Sequence, residues 1–119
     1  MPGPPGVPEL SVEEVAERLQ SNPELIVLDV REPEEVALVQ LPHPNVEVVP
    51  LSVLIRQGIQ ALPESVQDRN REIIIMCHHG IRSAQVVLWL QQNGWTKVIN
   101  MAGGIDAYAR RVDASIGIY

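Results

Sequence analysis

The sequence predicts an α/β domain in which a central parallel sheet is flanked by helices on both faces. Two short apolar runs rich in β-branched residues, at 25–30 and 73–76, indicate strands that are buried on both sides. Segments with apolar residues at helical spacing lie between the strands. Strands that alternate with helices predict a parallel sheet, because each crossover helix packs back onto one of its faces.

The predicted elements follow one another along the chain after an opening rich in proline and glycine. Strands are expected at 25–30, 46–49, 73–76 and 97–100. Helices are expected at 12–21, after a capping box that starts at Ser11, and then at 32–38, 51–59, 63–68 and 83–90. A turn at Gly103 and Gly104 is expected to lead into a last short helix through Ala107 and Tyr108. Residues 1–9 are expected to form a flexible arm and residues 10–119 a single domain.

Composition narrows the classes of function. The 119 residues carry a net charge of −6 without a cluster of Lys and Arg, which argues against nucleic acid and anionic membranes as partners. No apolar run approaches the roughly 18 residues of a membrane span, and no leader pattern opens the chain. Because Cys77 is the only cysteine, no disulfide can form within the chain, and we expect a reducing, cytoplasmic setting.

Cys77 is the residue of the sequence whose surroundings most clearly suggest a chemical reaction. It follows the predicted strand 73–76 directly and stands on a tight loop that leads into a helix. A helix N-terminus offers unpaired N–H groups, Gly80 allows the loop to curl, and Arg82 adds a permanent cation. A thiol in these surroundings is expected to lose its proton readily and act as a nucleophile. The alternative is that Cys77 is one more small buried residue.

The chain resembles a single rhodanese (sulfurtransferase) domain over residues 10–119. Three matching segments, 28–35, 77–84 and 103–107, occur in the family's order. The resemblance implies a catalytic cysteine that takes a sulfane sulfur from a small donor anion such as thiosulfate. It holds this sulfur as a persulfide and passes it to a thiophilic acceptor. Four residues separate Cys77 from Arg82, the loop length that the resemblance implies for sulfur-handling domains rather than related phosphatases.

The resemblance gives roles to individual residues, which agree with their chemistry. Cys77 is expected to be the nucleophile that carries the transferred sulfur. Backbone N–H groups are expected to surround that sulfur and stabilise its charge, with the cradle formed by His78, His79, Gly80, Ile81, Arg82 and Ser83. Arg82 is expected either to neutralise the donor or to shape the loop. Asp29 and Arg31 are expected to form a supporting charge pair at the neighbouring strand end.

The two consecutive histidines of the loop do not predict a metal site. Adjacent residues on a tight loop seldom point at one ion, so neither a metal nor a cofactor is expected. His78 and His79 are expected to set the electrostatics and shape of the entrance instead. His78 stands where many family members carry Arg or Lys, and a mostly neutral imidazole attracts thiosulfate less strongly near pH 7.

Two hypotheses of different classes remain open from the sequence. The first is a sulfurtransferase that works through a Cys77 persulfide, and the second is a noncatalytic rhodanese-like module that binds or senses a partner. The intact Cys77 and Arg82 favour the first hypothesis. The tail at 111–119 is similar to the end of rhodanese domains fused to enzymes that activate sulfur carriers, so a sulfur-carrier protein or another thiol is a candidate acceptor. Catalysis further requires that loop amides converge on a sulfur that solvent can reach.

Overall fold

A five-stranded parallel sheet forms the centre of the molecule. The structure, a computed structural model, describes residues 6–119. The strands run in the order β1-β5-β4-β2-β3, and every neighbouring pair is parallel. Their bounds are β1 Glu9–Leu10, β2 Ile26–Asp29, β3 Val46–Val48, β4 Ile73–Met76 and β5 Val98–Met101.

Helices connect the strands and cover the sheet. The α-helices are α1 Val12–Ser21, α2 Pro33–Leu38, α3 Leu51–Gln57, α4 Ile81–Gln92 and α5 Gly104–Arg111. Short 3-10 helices occupy Gly58–Ala61, Glu64–Val66 and Ala114–Ile116. The predicted capping box is present, since the Ser11 side chain accepts the Glu14 N–H and the Glu14 carboxylate accepts the Ser11 N–H.

The core lies in two layers, one on each face of the sheet. Alternate residues of β4 enter different layers, with Ile73 and Ile75 on one side and Ile74 and Met76 on the other. Buried residues of α3 and α4 fill the first layer, and those of α1 and α5 fill the second. The prediction of a parallel sheet with helices on both faces is therefore confirmed.

The structure adds a strand that sequence patterns did not predict. Glu9 and Leu10 pair in parallel with β5, and the Asn100 N–H donates to the Pro8 carbonyl at 2.8 Å. Two residues are too few to show an alternating pattern, so no periodicity marked this strand. Of the predicted arm at 1–9, residues 1–5 lie outside the described residues, whereas Glu9 belongs to the sheet.

Glycine positions account for differences in helix bounds. Helix α4 begins at Ile81 rather than at 83, because Gly80 takes a left-handed conformation with φ of 87° and caps it. The helix predicted at 51–59 ends at Gln57, since Gly58 has φ of 71° and a 3-10 helix follows. The helix predicted at 63–68 is the short 3-10 helix Glu64–Val66.

Three loops meet at the carboxyl edge of the sheet. Asp29 ends β2, Met76 ends β4 and Met101 ends β5, so the segments that follow them leave from the same edge. Parallel α/β sheets bind their ligands outside this edge. No helix among residues 6–119 combines the length and apolar character needed to cross a membrane.

Candidate active site

The sulfur of Cys77 receives two backbone N–H groups from the loop and helix that follow it. The Gly80 nitrogen lies 3.1 Å and the Ser83 nitrogen 3.4 Å from Cys77 Sγ. The left-handed conformation of Gly80 turns its N–H inward, and Ser83 lies in the first turn of α4. Of the six residues predicted to form the cradle, these two donate to the sulfur, where they and the helix dipole favour negative charge.

The side chain of Cys77 is buried, which differs from the expected access to solvent. Only 1% of the residue is exposed, and it packs in the same apolar layer as Ile75 and Val86. The cause is the curl of the loop, which places the sulfur beneath Gly80 and against the first turn of α4. A donor can therefore reach Cys77 only after the residues above the sulfur move.

A buried hydrogen-bond chain connects Cys77 to β5. Ser83 Oγ lies 3.3 Å from Cys77 Sγ and donates to Asn100 Oδ1 at 2.6 Å. The orientation of the Asn100 amide follows from its other contacts, since its Nδ2 donates to the carbonyl of Gly80 at 3.1 Å and to the carboxylate of Glu9 at 2.9 Å. With its hydrogen directed at Asn100, the Ser83 hydroxyl turns a lone pair towards the thiol.

Asn100 is thus a site residue that sequence reasoning missed. It fixes both Ser83 and the carbonyl of Gly80, the two residues that donate to the sulfur. The sequence feature that could have indicated it is an amide side chain within the apolar strand Val98–Met101. A fully buried polar residue requires specific hydrogen-bond partners, which marks it as a candidate for a positioning role.

The first turn of α5 holds the loop from the other side. The Ile105 N–H donates to the Cys77 carbonyl at 2.9 Å, and the Asp106 N–H donates to the His78 carbonyl at 3.0 Å. These bonds turn the carbonyls of the loop away from the sulfur, so that N–H groups face it. Gly104 permits the approach, because a Cβ there would meet the Cys77 carbonyl oxygen at 2.6 Å.

Arg82 pairs with a carboxylate of α2. Its two terminal nitrogens contact the two oxygens of Glu35 at 2.7 and 2.8 Å, a bidentate arrangement. The bond from Arg82 lowers the pKa of Glu35 to about 2, and Glu35 in turn raises the pKa of Arg82. The predicted cation of the loop therefore has its charge balanced within the protein. Sequence reasoning assigned no role to Glu35, although it lies in the matching segment 28–35.

Tyr119 joins this ion pair to the loop histidines. Its hydroxyl donates to Glu35 Oε2 at 2.9 Å, and its ring stacks on His78 with centroids 3.8 Å apart. His78 stacks on His79 at the same separation. Burial, together with the charge of His79, lowers the pKa of His78. No local sequence pattern linked Tyr119 to the loop, since 41 positions separate it from His78.

Asp29 and Arg31 form a fully buried ion pair. Arg31 Nη2 lies 2.8 Å from Asp29 Oδ2, and Arg31 Nε lies 3.0 Å from Asp29 Oδ1. Arg31 Nη1 also donates to the Glu35 carbonyl and to the Tyr119 hydroxyl, both at 3.3 Å. These contacts reach the partner of Arg82 rather than Cys77, so the pair holds α2 in place beside the loop.

Within residues 6–119, the side chains of His78, His79 and Asp106 form a group that can be compared with a metal site. Their nearest nitrogen and oxygen atoms lie within 4.8 Å of one another. The two rings are stacked at 29° rather than converging edge-on, and Arg110 already occupies the Asp106 carboxylate at 3.0 Å. Tetrahedral coordination needs ring nitrogens that point at one centre, so this arrangement does not indicate a metal site.

Comparisons with known proteins agree with this fold. The Rhodanese-like domain family model matches residues 11–111. A sulfurtransferase of Allochromatium vinosum is 32% identical, covering 87% of this chain and 90% of its own length. A chloroplastic rhodanese-like/PpiC domain-containing protein of Arabidopsis thaliana is 36% identical, but the chain spans only 38% of it. A rhodanese-like domain protein of Staphylococcus aureus superposes with a TM-score of 0.72 at 26% identity, over 95% of this chain and 99% of that one.

The fold and the site define a parallel α/β domain in which two backbone N–H groups face the sulfur of a cysteine at the carboxyl edge of the sheet. The chain belongs to the rhodanese-like domain family, because the family model covers most of its length. Relatives named as sulfurtransferases support general sulfur transfer as its activity.

Proposed function

We propose that this protein moves a sulfane sulfur from a donor to a thiophilic acceptor through a persulfide on Cys77. The observation that carries the proposal is the pair of N–H groups, from Gly80 and Ser83, that converge on Cys77 Sγ at the head of α4. Backbone donors that point at the sulfur stabilise negative charge on it.

The reaction has two steps. In the first, the Cys77 thiolate attacks the outer sulfur of the donor, the sulfur–sulfur bond of the donor breaks, and the rest of the donor leaves as an anion. In the second, the acceptor attacks the terminal sulfur of the persulfide and Cys77 leaves as a thiolate. Sulfur carries the negative charge in both steps, so the same N–H groups serve each of them.

Access is the one requirement that the resting arrangement does not meet. Because Cys77 is 1% exposed, the loop that curls over the sulfur must shift before a donor reaches it. Loop motions of this kind are common gates in enzymes and can limit the rate. A thiol shielded at rest is also protected from adventitious oxidation.

For the acceptor, we propose a thiol, either small or carried by a sulfur-carrier protein. The similarity of the tail at 111–119 to rhodanese domains linked with carrier activation supports the second choice. A free reactive thiol without a disulfide partner suits a reducing compartment such as the cytoplasm.

The burial of Cys77 is the observation that favours the second candidate, a noncatalytic binding or sensing module. In that function the loop would bind an anion or a partner without sulfur chemistry. A single assay separates the two candidates: formation of thiocyanate from a sulfane donor and cyanide, with Cys77→Ser as the variant. We expect turnover by the native protein and none by the variant, provided that both show the same melting temperature. Absence of turnover by the native protein with every sulfane donor would support the module.

A further inference from the structure

The charges that surround the candidate active site cancel one another. Arg82, the cation nearest to Cys77 on the loop, is held by Glu35 through two bonds of 2.7 and 2.8 Å. The pKa of Glu35 is lowered to about 2, so this carboxylate is ionised at neutral pH and pairs with the guanidinium. An incoming anion meets the pair as a dipole rather than as a free positive charge.

The other cations near the loop are balanced in the same way. Arg31 is buried against Asp29 at 2.8 Å. Arg110 binds Asp106 at 3.0 Å, and the same carboxylate lies 4.0 Å from His79 Nε2, so any positive charge on His79 also faces it. Burial and the charge of His79 lower the pKa of His78, which disfavours a positive charge on that ring. The ion pairs that the described residues form around Cys77 leave no cation unmatched.

Thiosulfate is poorly suited to such a site. It is a dianion, and its sulfonate must enter beside Cys77 while Glu35 and Asp106 carry negative charge. A persulfide of an organic thiol carries at most one charge, and in its protonated form none. Two groups of opposite charge that already pair with each other attract a dianion only weakly, so they do little to offset the cost of removing it from water.

This inference rests on the proposed function. We infer that the sulfur donor is a persulfide of an organic thiol rather than thiosulfate, because Arg82, the cation that a sulfonate would need, is already paired with Glu35. The Cys77 thiolate attacks the outer sulfur of the protonated persulfide R–S–SH. A bond forms between Cys77 Sγ and the outer sulfur, the donor's sulfur–sulfur bond breaks, and its electron pair leaves on R–S⁻. Cys77 becomes oxidised to the persulfide level as the donor's inner sulfur is reduced to a thiolate, so no further oxidant is required.

The test compares two donors on the same protein. The rate constant for the gain of one sulfur by Cys77 is measured by quenched intact mass spectrometry, with sodium thiosulfate and with the persulfide of 2-mercaptoethanol, an uncharged thiol. Glu35→Gln releases the charge of Arg82, and Arg82→Gln leaves the charge of Glu35 unmatched. The double variant restores a neutral pair. Glu72→Gln is the matched control, since it removes the same charge from a pair with Arg18 at 3.0 Å beside the first residue of β4, at the opposite edge of the sheet.

We expect the native protein to load faster from the alkyl persulfide. Glu35→Gln should raise the thiosulfate-to-persulfide rate ratio about tenfold, the effect of one unscreened charge at close range. Arg82→Gln should lower this ratio, and the double variant should return it to the native value. Glu72→Gln should leave it unchanged, because the charge is far away and screened.

Faster loading of the native protein from thiosulfate would overturn the donor assignment while leaving sulfur transfer intact. An equal rise of the ratio in Glu35→Gln and Glu72→Gln would also overturn it, since net charge alone would then explain the preference. Loading of the native protein by neither donor would refute the proposed function itself. If Glu35→Gln does not fold, the donor preference of the native protein and the change of the rate ratio in Arg82→Gln still test the donor assignment.

Discussion

Gly104 lies directly against the backbone of His78. A Cβ at position 104 would overlap the His78 carbonyl, and Gly104 has φ of 65°, which side chains rarely adopt. The contact allows the next residue, Ile105, to donate its N–H to the Cys77 carbonyl at 2.9 Å. The start of α5 thereby fixes the direction in which the Cys77 loop presents its N–H groups.

Gly104→Ala should therefore damage both stability and activity. We expect the free energy of unfolding to fall by about 3 kcal/mol, from the left-handed conformation and from overpacking against the loop. Gly58→Ala is the matched control, because Gly58 also has a positive φ, of 71°, but a Cβ there meets nothing within 4 Å. The control should lose about 1–3 kcal/mol in urea unfolding, because φ of 71° with ψ of −154° is a backbone conformation that only glycine adopts readily, and it should keep its sulfur-transfer rate. Equal losses of activity in the two variants would contradict a role for this contact.

Asp29→Ala should be among the most destabilising single changes in this region. It leaves the guanidinium of Arg31 buried without its carboxylate, and breaking a buried pair in this way costs about 3–5 kcal/mol. Thermal and urea unfolding measure the loss. The exposed pair of Arg18 and Glu72 is the comparison, where Glu72→Gln should cost less than about 1 kcal/mol. Similar losses in the two variants would show that Arg31 finds other partners.

Glu35 should give the protein a pH-dependent stability. Its pKa is lowered from 4.5 to about 2, so its contribution is fully present above pH 4.5 and is lost as the pH falls towards 2. The difference in free energy of unfolding between the native protein and Glu35→Gln should be largest near pH 7 and shrink below pH 4.5. Urea unfolding at a series of pH values measures it. A difference that stays constant across this range would mean that Arg82 does not hold the carboxylate.

Most strands and helices of the fold could be predicted from the sequence, because the patterns that indicate them lie within each element. The run Ile73–Met76 is apolar and β-branched, and the residues of α4 are apolar at helical spacing. The position of Cys77 between them followed from these two elements alone. The strand Glu9–Leu10 was not predicted because two residues carry no periodicity, and its place in the sheet depends on pairing with β5.

The partners of the site residues could not be read from the sequence in the same way. Glu35 meets Arg82 across 47 positions, and Asn100 meets Ser83 across 17. Local spacing predicts neighbours on one element, whereas these contacts depend on how α2, α4 and β5 pack together. The burial of Cys77 has the same origin, since the curl of the loop over the sulfur is a tertiary feature.

The central claim is that Cys77 itself carries the transferred sulfur. Intact mass spectrometry of the native protein, before and after incubation with an alkyl persulfide and with thiosulfate, tests this claim most directly, because the chain has a single cysteine. We predict a gain of one sulfur mass that cyanide removes, and no gain in Cys77→Ser. An unchanged mass with every sulfane donor, or an equal gain in Cys77→Ser, would contradict the account.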